Sequence, residues 1–232
     1  MPTHFIHAID GLKEKLLSIG TKVEEAVREA VQCVTSRDAA LGAAVYAGDD
    51  EIDALEVDIE EECLHLLALY QPVAADLRFI VVALKINNDL ERVGDLAVNV
   101  AERGTFLATQ RPPKIALDFH HMASLSQSML SRALDAFVNV DTKLAYEVIA
   151  GDDEVDAENR NAYIQIQEAI REHPEDLESL IHLLSIARHL ERIADLATNI
   201  AEDVVYMAEG TIIRHHIEEY SPLSVPRKTL GA

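Results

Sequence analysis

The chain has 232 residues, enough for one large hydrophobic core or two modest ones, and it carries 41 Asp and Glu against 20 Lys and Arg, a formal charge of −21. Such a surplus repels nucleic-acid phosphates and anionic lipid surfaces, which argues against either as a binding partner. Tryptophan is absent and aromatics make up 5% of residues, so Leu, Ile, Val and Ala must fill the core, as in an all-α helix bundle.

The opening MPTHFIHAIDGLKEKLL has no basic start, apolar run and cleavage site, so no secretory signal is expected. Apolar residues at Leu12, Leu16, Ile19, Val23, Ala26, Val27, Ala30 and Val34 follow helical spacing and predict a first helix over 4–47. Gly48 is expected to end it in a left-handed C′ position, with Asp49 or Asp50 as N-cap of a second, short helix over 49–70. Gln71-Pro72 then leads into a third helix, 73–109, and Arg111-Pro112-Pro113 forms a linker. A fourth helix, 114–150, is expected to stop at Gly151, a fifth to run 152–173 to His173-Pro174, and a sixth to run 175–209. From Thr211 onward, with Pro222 and Pro226, the chain reads as a loose tail or an oligomer contact. Cys33 and Cys63 lie outside any CxxC motif, as expected in a reducing compartment such as the cytoplasm. No run approaches the ~20 apolar residues of a membrane span.

Two phrases recur. LGAAVYAGDDEID at 41–53 aligns with LAYEVIAGDDEVD at 144–156, and ERVGDLAVNVAE at 91–102 aligns with ERIADLATNIAE at 191–202, eight of twelve positions being identical. The offset is 103 in the first block and 100 in the second, which places a short deletion near the Pro72 and Pro174 turns. The sequence therefore predicts two tandem three-helix bundles, 1–111 and 112–210, followed by a tail over 211–232.

Capping is a sufficient explanation of the acidic turn taken alone. It fails for Glu91, Asp95 and Asn99 and for Glu191, Asp195 and Asn199, which fall inside long helices where no backbone N–H is free. Spacing of four puts each trio on one stripe, and Glu102 and Glu202 return to nearly the same angle. A solvated face would not reproduce these residues while Asn88 becomes Arg188 and Asp89 becomes His189. Arg92 and Arg192 recur as well, so a structural ion-pair network is a competing explanation. If neighbouring helices bring Asp49 and Asp53 to Glu91 and Asp95, and Asp152 and Asp156 to Glu191 and Asp195, each group of carboxylates calls for a cation. Oxygen-only donors suit iron, manganese, magnesium or calcium, not structural zinc.

Two three-helix repeats bearing paired E(D)xxxD motifs, with QPVAADLR at 71–78 and ERVGDLAVNVAE at 91–102, resemble the PhoU family over roughly residues 5–210. The resemblance implies a cytoplasmic, non-enzymatic accessory protein of phosphate uptake. Such a protein negatively regulates phosphate-starvation signalling and links a phosphate-specific ABC transporter ATPase to a sensor histidine kinase. It also implies metal ligands at the eight acids just named; Asn99, Glu102, Asn199 and Glu202, on the same stripes, are expected as accessory ligands. The family often has His after the last motif's Asp, where this chain has Leu196, and Arg78 is matched by Glu178. The halves are therefore expected to differ. A homodimer is the expected assembly.

Other chemistry fits less well. A ferritin-like di-iron site needs Glu-x2-His on two helices, and Glu62-x2-His65 is matched only by Gln165-x2-Glu168. No phosphate-cradling Gly-rich loop or G-x-S-x-G motif occurs. The adjacent pairs His120-His121 and His215-His216 point in different directions on a helix and receive no ligand role. A metal-free helical interaction scaffold is the remaining alternative.

Overall fold

A computed structural model describes residues 3–115, 117 and 119–213. The expected tail from residue 214 onward, including His215-His216, lies outside the described residues. The fold is all-α: α1 (Thr3–Ser36), α2 (Ala39–Tyr70), α3 (Ala74–Thr109), α4 (Phe119–Asn139), α5 (Thr142–Glu172) and α6 (Leu177–Glu209), with a 3-10 turn at Pro174–Asp176 before α6. No strand occurs among the described residues.

The break between the first two helices differs from the sequence expectation in the same way in each half, and α4 begins at Phe119, not at residue 114. α1 stops at Ser36, not at residue 47, and α2 runs straight through Gly48; α4 stops at Asn139 and α5 runs through Gly151. The true N-caps are Asp38, which accepts from Ala40 N at 2.9 Å, and Asp141, which accepts from Leu144 N at 3.0 Å. Just before them Arg37 and Val140 take left-handed φ values of 55° and 52°, a conformation usually left to glycine. The Arg37 guanidinium donates to the carbonyls of Leu107 and Gln110 at the end of α3, the former also accepting from Gln110 N. The second and fifth helices are accordingly long, 32 and 31 residues.

Within each half all three helices pack against one another, and the halves meet through α3 on α6 and α1 on α4. Leu12, Leu16, Ile19, Val23, Val27 and Ala30 form the buried stripe of α1, at the alternating three and four spacing that lets one helix face seat on its neighbours. Each fully buried Leu or Ile stabilises the fold by roughly 1.5–3 kcal/mol relative to exposure. The buried residues of both halves belong to one continuous cluster. Small residues set the closest approach of α1, α2 and α3: a Cβ on Gly42 would lie 2.2 Å from Thr105 Oγ1, and one on Gly104 would lie 2.9 Å from Cys33 Sγ.

Polar contacts among the described residues fasten the halves. Lys85 Nζ reaches the buried Asp203 at 2.5 Å across α3 and α6. Arg78 Nε donates to the Met207 carbonyl near the end of α6. Arg111 in the linker donates to Asp176, which also accepts from Lys114 N, so the connection is tied to the turn before α6.

Candidate functional site

Because α2 and α5 are long, Asp49, Asp53, Asp152 and Asp156 sit well inside helices and cap nothing. The capping explanation of the acidic phrase is thereby corrected: its backbone N–H groups are already bonded within the helix, and the capping role belongs to Asp38 and Asp141. The acids of α2 instead face those of α3. The crossing is made close by Gly94, where an added Cβ would stand 3.3 Å from Ile52 Cγ2 and 3.8 Å from Asp49 Oδ1. In the second half the equivalent Ala194 is fully buried.

Electrostatics show which acids share a field. Burial, then the charges of Asp53, Asp95 and Asp50, raise the Asp49 carboxyl above its ordinary 3.8. Glu91 is raised by burial, then by Asp95, Asp53, Glu56 and Asp49. In the second half Asp152 is pushed up to about 6, by burial first and then by Asp195 and Asp156, against a 3.3 Å hydrogen bond from the Thr198 hydroxyl. Glu191 is raised by burial, Asp195 and Asp156 and moderated by Arg188. Asp195 is raised by burial and Asp156 and moderated by Arg192. In each tetrad, therefore, the carboxylates of one helix reach those of the other through their charge, raising Asp49 and Glu91 in the first half and Asp152, Glu191 and Asp195 in the second.

They are not closed ligand shells. Among the described residues no three His, Cys, Asp or Glu side chains stand close enough to hold one metal ion. The donor set nonetheless suits a hard cation in kind, since it is carboxylate oxygen only and self-repelling. Asp156 is engaged by Arg160 at 3.2 Å.

The accessory positions separate. Asn99 turns its amide back onto the Asp95 carbonyl at 2.7 Å. Glu102 is exposed and pairs with Arg103 at 3.1 Å, whereas Glu202 is buried and Asn199 half-buried. Arg92 pairs with Asp89 at 3.4 Å, away from the tetrad. Sequence reasoning missed Glu56, Thr198, Arg160 and Arg188. It also missed Asn87, which is buried and donates to the Glu56 carbonyl at 2.9 Å. Their signal was available as non-matching residues: Val98 stands for Thr198, Val57 for Arg160 and Ala187 for Asn87.

Comparison with known proteins agrees with this doubled architecture. A family model described as PhoU domain matches twice, over residues 16–104 and 119–204. The chain is 40% identical over 212 residues to a phosphate-specific transport system accessory protein PhoU homolog of Aquifex aeolicus, covering 91% of this chain and 96% of that one. Among solved structures it resembles PhoU from Pseudomonas aeruginosa, with TM-score 0.87 and 36% identity over 89% of this chain and all of that one. It also resembles the phosphate transport system regulatory protein PhoU from Streptococcus pneumoniae, with TM-score 0.80 and 29% identity over 90% and 98% of the two chains.

Proposed function

This chain belongs to the PhoU family, and on that footing we propose that it is an accessory protein of phosphate transport that restrains uptake and phosphate-starvation signalling. It does so as an adaptor in the cytoplasm, linking the ATPase of a phosphate-specific ABC transporter to a sensor histidine kinase. The observation that carries this reading is the doubled PhoU domain spanning most of the chain, with the acidic motif present in each copy. Adaptor work requires rigid helical faces and no covalent chemistry by this chain. Among the described residues no helix is long and apolar enough to cross a membrane, so attachment to the transporter would run through protein contacts, with a homodimer as the working assembly.

Each acidic seam would hold a hard cation, iron, manganese, magnesium or calcium. Asp49, Asp53, Glu91 and Asp95 would have to close around it in the first half, and Asp152, Asp156, Glu191 and Asp195 in the second, since as they stand no three of them are near enough to share one ion. When bound, the cation supplies the positive charge that lets these carboxylates stay ionised together. The residues themselves set where that charge sits, and Arg160 pairs with Asp156 at the edge of the second seam.

Deletion of the gene, followed by a phosphate-starvation reporter in phosphate-rich medium, tests the regulatory role. The reporter should switch on despite ample phosphate and be silenced again by the wild-type gene. A reporter that stays off would contradict the role.

A further inference from the structure

The internal repeat serves as its own control. Residues required by the shared fold recur in both halves, so a cluster of exposed differences at equivalent positions answers to something other than folding. One such cluster lines a groove of about 570 Å³ between α5 and α6. Tyr163 and Ile164, each 53% exposed, form one wall, and Leu184 forms the other. Leu177 and Ile181 continue the apolar stripe along α6 and are also exposed.

The α6 stripe alone is common to the fold, since Leu77, Val81 and Leu84 stand at the same positions on α3. What faces it is not. Where the first half sets the exposed Glu60 and Glu61, the second sets Tyr163 and Ile164, and Asn88 becomes Arg188. Exposed Tyr and Ile beside an apolar stripe gain nothing for the monomer, because their burial must come from another molecule. Arg188 points the same way. It closes no ion pair or hydrogen bond among the described residues; Glu191, which lines the same groove, and His189 feel it only through its field, so it keeps donors for an incoming carboxylate, whereas the neighbouring Arg160 is engaged by Asp156. A planar guanidinium at the edge of an apolar groove is suited to receive a carboxylate in bidentate fashion.

We propose that the α5–α6 groove docks a short amphipathic segment of a partner protein, which lays apolar side chains against Tyr163, Ile164 and Leu184 and brings a carboxylate to Arg188. The first half lacks this site. Its Glu60 and Glu61 would repel the same carboxylate, so the tandem copies differ in what they can bind although they share one fold.

The test uses two synthetic helical peptides on the full chain. Both carry Leu at positions one, four and eight; one has flanking Glu and the other has Lys in their place. Bulk attraction to a chain of charge −21 favours the lysine peptide, so the groove makes the less obvious prediction. The glutamate peptide should bind at least about tenfold more tightly, the worth of one good charge-assisted contact. Arg188→Glu should invert that preference, and Y163A/I164A should abolish binding of both. The mirrored first-half change Asn88→Glu should alter nothing. All these side chains are exposed, and circular dichroism establishes that each variant folds. A preference for the lysine peptide, or peptide binding indifferent to Arg188→Glu, would overturn the proposal. So would sedimentation showing that the groove is occupied by a second copy and freed by Arg188→Glu. Because the peptides report on the groove alone, this outcome is separate from that of the phosphate reporter.

Discussion

Replacing Asp152 with Asn should stabilise the cation-free protein at neutral pH and leave it unchanged in acid. Burial and the charges of Asp195 and Asp156 hold the Asp152 carboxyl up at about 6, against an ordinary 3.8. A carboxyl that is harder to ionise in the folded state destabilises that state wherever the pH exceeds both values. The penalty lifts as pH falls through the folded value, because the folded chain takes up its proton first. A gap of about 2 in pKa corresponds to about 3 kcal/mol at 1.36 kcal/mol for each pKa unit. Asp152 is only partly buried, so water screens part of this, and roughly 1–2 kcal/mol is expected. Asparagine keeps the shape and an acceptor for the Thr198 hydroxyl. Urea unfolding followed by circular dichroism, in chelator at about pH 7.5, should show D152N more stable by that amount. The advantage should halve by about pH 5 and disappear by about pH 3.5. A D152N protein that is less stable at neutral pH, or equally favoured at every pH, would refute the reasoning.

The helix that runs through Gly48 makes a separate prediction: with nothing within 4 Å of a Cβ there, Gly48→Ala should raise stability by about 1 kcal/mol, whereas a left-handed cap would be destabilised by alanine. Gly104→Ala should instead cost about 1–3 kcal/mol, because its Cβ would stand 3.1 Å from the Val34 backbone N; equal thermal midpoints for the two variants would contradict the packing of α1 on α3. Burial raises both thiols, Cys63 to about 12, and only a thiolate attacks a disulfide reagent. Ellman's reagent should therefore leave Cys33 and Cys63 untouched in the native chain and react with both after denaturation, and rapid labelling of either in the folded protein would contradict their burial.

The fold class and the repeat were legible because the period of the apolar residues and the matching blocks are properties of sequence alone. The acids of α3 and α6 were legible as something other than caps for the same reason. The breaks at Arg37-Asp38 and Val140-Asp141 were not, since they contain no glycine or proline and rest on left-handed Arg37 and Val140. Gly48 and Gly151 drew attention instead, although a single glycine costs a long, well-packed helix only about 1 kcal/mol. The repeat itself held the missing signal. Extending the first aligned block backward at its offset of 103 superposes Asp38 on Asp141, two good N-caps in register. Thr198, Arg160 and Arg188 were overlooked for the opposite reason: attention to what recurs passes over residues that belong to one half only.

Titration calorimetry of manganese into the chelator-stripped chain asks most directly whether the two carboxylate seams hold cations. Saturable binding should persist at one half when D53N/D95N disables the first seam, and at the other when D156N/D195N disables the second. Absence of saturable heat, or heat untouched by both double variants, would show that the seams are bare helix faces and that the adaptor works without metal.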